Sequence, residues 1–242
     1  MFNTIIKQNY DEVSSEAFKI MKEVVTGKKN AVLGLATGSS PVGMYKKMIA
    51  DHNSNGTSYK DCLTFNLDEY VGLPKSHDQS YYTFMHENLF SGIDVPEENI
   101  HIPDGSAADE KQACIDYETE LKKHTVDIQI LGIGSDGHIA FNEPGCPFTS
   151  ETHLMDLTEQ TRKDNARFFD GDIDEVPTKA ITQGLASIMR ASKIVLIATG
   201  ANKAEAVYNM IHGPKTESCP ASILQDHKDV TVILDEAAAS KL

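Results

Sequence analysis

The sequence predicts a single α/β domain in which a mostly parallel sheet carries helices on both faces. Short apolar runs rich in β-branched residues alternate with segments of helical periodicity. The apolar runs are continuous rather than alternating, as in strands that are covered on both faces. No repeat and no Pro/Gly/Ser-rich linker divides the 242 residues, so we expect one domain over residues 1–242.

The predicted elements follow one another in the order that such a sheet requires. The strands are Ala31–Leu35, Leu63–Leu67, Val126–Ile133, Ile194–Ala198 and Val230–Leu234, with a weaker candidate at Asn99–Ile102. The helices are Ser14–Val25, Pro41–Ala50, Tyr81–Phe90, Ala107–His124, Thr178–Met189 and Asn202–Ile211. The polar stretch at about 145–176 shows no strand pattern and indicates a long lid-like excursion.

Composition excludes several classes of protein. Lys and Arg total 22 against 36 Asp and Glu, so the formal charge of −14 disfavours nucleic acid as a partner. Hydrophobic residues make up 40% of the chain, which excludes intrinsic disorder as the main state. No apolar run approaches the roughly 18 residues of a membrane span, and the first residues lack a signal-peptide layout. We therefore expect a cytoplasmic protein without a membrane partner.

The four cysteines give no sign of a structural framework. Cys62, Cys114, Cys146 and Cys219 are widely scattered and form no C-x-x-C pair. Neither a disulfide scaffold nor a zinc knuckle is indicated, so we expect buried free thiols.

A phosphate cradle is predicted where the first strand leads into a helix. Ligands of open parallel sheets bind beyond the carboxyl ends of the strands, and Thr37–Pro41 follows such an end. Ser40 suits the N-cap and Pro41 the first helical position. The amides of Gly38 and Ser39, with the helix dipole, could then bind an anion. The alternative is a capped turn that binds nothing.

Lys203 is a second candidate for anion binding. It occupies the first turn of a predicted helix, where a cation is unfavourable against the dipole unless a negative group compensates. A phosphate would supply that group, whereas the alternative is a solvated surface lysine.

The segment Gly132–Pro144 concentrates chemically useful residues after an apolar strand. Asp136 and Glu143 flank His138, and either carboxylate could orient the imidazole and raise its basicity. The alternative is a glycine-rich turn with a hydrogen-bonded histidine. Zinc binding is disfavoured, because we find neither an H-E-x-x-H motif nor a matching third ligand.

Asp68 and Glu69 end another predicted strand. Adjacent side chains of an extended segment point to opposite sides, so only one carboxylate can face the cleft. The alternative is a pair of solvated acids.

Together these segments resemble the glucosamine-6-phosphate deaminase (glucosamine-6-phosphate isomerase) family. The resemblance covers most of the chain and rests on the segments Leu67–Pro74, Ser80–Met85, Gly134–Pro144 and Asn165–Phe169. It implies a modified Rossmann-like sheet with a mobile lid, and a reaction without nucleotide, metal or pyridoxal cofactor. The implied reaction converts glucosamine 6-phosphate and water to fructose 6-phosphate and ammonia, in amino-sugar catabolism.

The resemblance also implies roles for individual residues. His138, assisted by Glu143 and Asp136, would open the sugar ring, and Asp68 would move a proton between the two reacting carbons. The substrate phosphate would be held by Gly38, Ser39, Arg167 and Lys203. Arg167 lies in the lid-like excursion, so phosphate capture would help to close it.

Two departures and two competing classes qualify the resemblance. Allosterically regulated members carry basic residues near the positions of His153 and Met155, which here offer one weak base and no charge. We therefore expect little or no activation by N-acetylglucosamine 6-phosphate. The family resemblance leaves open whether the chain forms a homo-oligomer. The 6-phosphogluconolactonases share the glycine-rich loop but need no enolising base. A sugar-phosphate sensor would need a DNA-binding segment, and no basic recognition helix is evident.

Overall fold

The computed structural model describes residues 2–242 and contains two sheets. The strands are β1 (Asn3–Lys7), β2 (Val32–Leu35), β3 (Leu63–Asn66), β4 (Asp68–Tyr70), β5 (Ile100–His101), β6 (Ile128–Leu131), β7 (His153–Asp156), β8 (Lys179–Thr182), β9 (Ile194–Ala198) and β10 (Val230–Asp235). The α-helices are α1 (Tyr10–Gly27), α2 (Ser39–Asn55), α3 (Tyr81–Asn88), α4 (Glu110–Leu121), α5 (Glu159–Asn165), α6 (Leu185–Ile188) and α7 (Ala204–His212).

The larger sheet has seven strands in the order β1-β10-β9-β6-β2-β3-β5, and every pairing is parallel. Strands β2, β6 and β9 are buried along their whole length, because helices cover both faces. This confirms the predicted fold class. The strand order reverses between β2 and β6, so the loops after these strands diverge and leave a crevice.

Strand β1 is absent from the predicted set. It pairs only with β10 and forms an edge of the larger sheet. Asn3, Thr4 and Ile6 are exposed, so the segment lacks the continuous apolar run that marks the central strands.

The smaller sheet is antiparallel and has the order β4-β8-β7. It corrects two predictions. The predicted helix Thr178–Met189 is strand β8 followed by the single helical turn α6, because Gly184 separates them and Ala180, Ile181 and Thr182 pair with β4. The stretch 145–176 also contains a strand, β7, which is short and only partly buried.

Leu67 is the point at which the chain passes from one sheet to the other. Its N–H donates to Leu35 O beside the larger sheet, and its carbonyl accepts from Gln183 N beside the smaller one. Asp68 is therefore the first residue of β4, paired with Thr182. This step places Asp68 at the carboxyl end of the parallel strands.

Two further predictions concern the cysteines and membrane-spanning segments. All four cysteines are free and buried, as predicted. No helix within residues 2–242 is both long and apolar enough to cross a bilayer.

Gly105 provides a test of how β4 is held in place. A Cβ at this position would overlap the Tyr70 carbonyl oxygen and lie 3.0 Å from Glu69 Cγ. We expect Gly105→Ala to lower the free energy of unfolding by about 1–3 kcal/mol, because the backbone of β4 must move. Gly27→Ala is the matched control, since nothing lies within 4 Å of its added methyl. Equal stability of the two variants in urea denaturation would contradict this packing.

Candidate active site

A cavity of about 580 Å³ opens at the carboxyl ends of β2, β6 and β9. Its size is in the range of small-molecule sites. Its walls include six of the eight predicted site residues: Gly38, Ser39, Asp68, His138, Arg167 and Lys203. The other two, Asp136 and Glu143, lie against His138 rather than in the cavity wall.

The start of α2 faces this cavity. Gly38 is the N-cap residue with φ +82°, and the helix begins at Ser39. The prediction that Ser40 caps the helix is therefore wrong, because only a residue tolerant of positive φ can make the turn from Ala36. The cap has no side-chain hydrogen bond, and the first amides of a helix have no intrahelical acceptor. An anion in the cavity would meet those amides.

Two cations stand opposite this helix start. Lys203 ends a 3-10 turn immediately before α7, and Arg167 follows α5 in the lid-like excursion. Within residues 2–242 neither side chain forms a salt bridge, although Arg167 lies over the Phe168 ring at 4.7 Å. Burial lowers the pKa of Lys203; the nearby Asp164 charge opposes this shift, and the Arg167 charge adds to it. An anion bound between Lys203 and Arg167 would offset their mutual repulsion.

His138 lies between two carboxylates. Its Nδ1 is 2.8 Å from Asp136 Oδ1 and 4.0 Å from Glu143 Oε2. The first contact is at ion-pair distance but is poorly aligned for a hydrogen bond. Burial opposes ionisation of Asp136, yet its contacts with His138 outweigh that effect and lower its pKa to about 2. Asp136 is therefore a permanent anion beside the ring.

Two glycines of this loop are required for different reasons, Gly134 by the histidine ring and Gly137 by its backbone conformation. A Cβ at Gly134 would overlap the His138 ring and lie 2.7 Å from Asp136 Oδ1. Gly137 has φ +88°, and Ala140 adopts φ +52°, which is rare for a residue with a side chain. Such local strain is typical of functional sites.

The structure also supplies the third ligand that the sequence lacked. Asp136, His138 and Glu143 each offer one ligand atom, all within 4.8 Å of one another. A divalent cation could bridge that spacing, so the third ligand type is present, while the expectation that the site works without a metal stays a prediction. One of these atoms, Asp136 Oδ1, is already at ion-pair distance from the imidazole.

Asp68 and Glu69 have different environments, as predicted for adjacent residues of a strand. Asp68 faces the cavity, is 5% exposed, and has a pKa raised to about 8 by burial and by the nearby charge of Glu69. Glu69 is 3% exposed and accepts the backbone N–H groups of Tyr70, Tyr81 and Tyr82 at 2.8–3.0 Å. Burial raises the pKa of Glu69 as well, and these donors oppose the shift.

Several cavity residues were not assigned a role from sequence. Tyr81 stacks on Phe141 with a 10° interplanar angle, and Tyr70 accepts a 2.9 Å hydrogen bond from Asn165 Nδ2. Tyr81 and Asn165 lie in segments quoted for the resemblance, but spacing alone does not show that they meet. The Asn165–Tyr70 hydrogen bond joins the lid-like excursion to β4.

The fold and the cavity define an α/β protein with a cavity of small-molecule size, lined by a helix N-terminus, two cations and acid–base side chains. The sequence profile of the family described as glucosamine-6-phosphate isomerases/6-phosphogluconolactonase matches residues 7–233. The chain belongs to this family.

Individual relatives resemble the chain over nearly its full length. A glucosamine-6-phosphate deaminase of Clostridium botulinum (strain Alaska E43 / Type E3) is 51% identical, covering 98% of this chain and 96% of the relative. A glucosamine-6-phosphate deaminase of Thermoanaerobacter sp. (strain X514) is 50% identical, covering 98% of this chain and 93% of the relative. A solved structure, described as a monomeric glucosamine-6-phosphate deaminase, is 42% identical with a TM-score of 0.98 and full coverage of both chains.

The burial of Asp68 predicts a pH-dependent stability difference. In the unfolded chain the Asp68 carboxyl ionises near pH 4, whereas in the folded chain it holds its proton until about pH 8. Unfolding therefore releases a proton between these values, and the wild type loses stability as pH rises. We expect Asp68→Asn to match the wild-type Tm at pH 4 and to exceed it by a few degrees at pH 8, measured by calorimetry. A difference that does not grow with pH would contradict the raised pKa.

Proposed function

We propose that this chain converts glucosamine 6-phosphate and water to fructose 6-phosphate and ammonia. The observation that carries the proposal is the buried Asp68 carboxyl in the wall of a cavity that also contains His138, Arg167 and Lys203. The relatives that match over nearly the whole chain are named for this reaction. The chain is accordingly an enzyme that acts in amino-sugar metabolism.

Ring opening is the first step. The closed sugar has no carbonyl, so a proton must move from the anomeric hydroxyl to the ring oxygen. His138 is exposed to the cavity and can take and return that proton, since imidazole is suited to transfer in both directions near neutral pH. Asp136 stabilises the protonated ring from 2.8 Å, and Glu143 adds a second carboxylate 4.0 Å from the same nitrogen, Nδ1.

Proton transfer between carbons is the second step. The open aldehyde acidifies the hydrogen on carbon 2, which bears the amine. Ionised Asp68 removes this proton, and the oxygen on carbon 1 takes up a proton to give the enolamine. Asp68 then gives its proton to carbon 1, which leaves a protonated imine at carbon 2, so one carboxylate serves both carbons. A pKa of about 8 suits this role, because a group that acts first as a base and then as an acid is most effective when its pKa lies near the working pH. Water then hydrolyses the imine, and ammonia leaves.

The phosphate provides binding energy remote from the reacting carbons. The free amides of Gly38 and Ser39 and the charges of Arg167 and Lys203 surround one end of the cavity. Because the whole chain is acidic, these local donors must create the positive potential that attracts the substrate. Holding the phosphate there fixes the reacting carbons against Asp68.

Lactone hydrolysis is the second candidate function. Solved 6-phosphogluconolactonases share the fold. One example is the Trypanosoma cruzi protein, which is 22% identical to this chain with a TM-score of 0.82. Opening a lactone needs no base that removes a carbon-bound proton. The burial of Asp68 beside Glu69 therefore favours the deaminase.

Three further expectations belong to the same proposal. We expect a cytoplasmic location and little activation by N-acetylglucosamine 6-phosphate. A homo-oligomer is not required, since the cavity described above is built from a single chain.

Isotope incorporation tests the reaction and the base together. Wild type incubated with glucosamine 6-phosphate in deuterated water should release ammonia and give fructose 6-phosphate with deuterium at carbon 1. Asp68→Asn should give neither product while remaining folded. Ammonia release by Asp68→Asn would contradict the role of this residue. Opening of 6-phosphogluconolactone by the wild type, without ammonia release from the amino sugar, would favour the lactonase.

A further inference from the structure

The two oxygens of Glu143 have different surroundings. Oε1 accepts from Thr158 N at 3.2 Å and from the Thr158 hydroxyl at 3.3 Å. Oε2 has no hydrogen-bond partner within residues 2–242 and lies 4.0 Å from His138 Nδ1. Glu143 is 4% exposed, so water does not hold it in place. The Thr158 contacts therefore determine which way the carboxylate points.

Thr158 is also the N-cap of α5. Its hydroxyl accepts from Thr161 N at 3.2 Å, which satisfies one of the free amides at the helix start. The hydroxyl has a single proton, for which Thr161 Oγ1 at 3.1 Å and Glu143 Oε1 are both within reach. A carboxyl oxygen is a stronger acceptor than a hydroxyl, so the proton is directed to Glu143.

We propose that Thr158 is a positioning residue that holds Glu143 at its working distance from His138. The inference deepens the proposed deaminase function and rests on it, because ring opening by His138 is the step that Glu143 supports. Thr158 touches neither the cavity nor His138, and its effect is transmitted through Glu143.

Thr158 begins a segment that is held together by its own hydrogen bonds. Helix α5 leads from Thr158 to Asn165 and then to Arg167. The Arg162 side chain donates to the carbonyls of Ile173 and Val176 at 2.6 and 3.2 Å. The contact between Thr158 and Glu143 is thus made by an ordered part of the lid-like excursion.

A double-mutant cycle between Thr158 and Glu143 tests this link. Thr158→Val keeps the branched shape and the amide N–H but removes the hydroxyl, while Thr158→Ser keeps the hydroxyl. We expect Thr158→Val to lower kcat about tenfold, the scale of a hydrogen bond to a charged group, with KM changed less than about threefold. Thr158→Ser should stay within about twofold of wild type. In a Glu143→Gln background, Thr158→Val should cause no further loss.

A measurement independent of turnover accompanies the kinetics. Imidazole 15N resonances of His138, assigned with a His138→Gln variant, should move in Thr158→Val and remain in place in Thr158→Ser. A loss of activity of the same size in both Glu143 backgrounds would show that Thr158 only caps the helix, and the proposal would be wrong. Unmoved His138 resonances in Thr158→Val would overturn it equally. If the wild type releases no ammonia, the deaminase function fails, while the resonances still decide the Thr158–Glu143 link.

Discussion

The site depends on the burial of two adjacent carboxylates at the step from the larger sheet to the smaller one. Glu69 accepts backbone N–H groups from Tyr81 and Tyr82 at the start of α3 and from Tyr70, and Asp68 faces the cavity without such compensation. Charging both groups in one dry region is costly, so the two side chains differ in proton affinity. The proposed base is accordingly the carboxyl that burial brings closest to neutral pH.

The remaining architecture serves to bring a substrate to this pair. The parallel strands place the loops containing Gly38, His138 and Lys203 around one crevice, and the smaller sheet anchors the segment that contains Arg167. The helix amides, the two cations and the acid–base groups thus line one cavity of small-molecule size. The Thr158–Glu143 contact joins the lid-like excursion to the loop that contains His138.

Sequence predicts the features that one residue type or one periodicity encodes. Central strands such as β9 are continuous apolar runs, and a glycine-rich loop after a strand indicates a ligand site. Edge strand β1 was missed because half of it is exposed, and β8 was misjudged because the apolar spacing in Thr178–Met189 fits both a helix and a strand followed by a turn. The Thr158–Glu143 contact depends on how the excursion folds back, which residue spacing does not encode.

The pH dependence of kcat/KM for glucosamine 6-phosphate tests the central claim most directly, because it reports ionisation of the free enzyme. With Asp68 as the base, kcat/KM should rise with pH to a plateau, with its midpoint near pH 8. Glu69→Gln removes the neighbouring charge and should move that midpoint to lower pH. A midpoint that is the same in wild type and Glu69→Gln, or a profile that is flat between pH 6 and 9, would contradict the coupling of the two carboxylates.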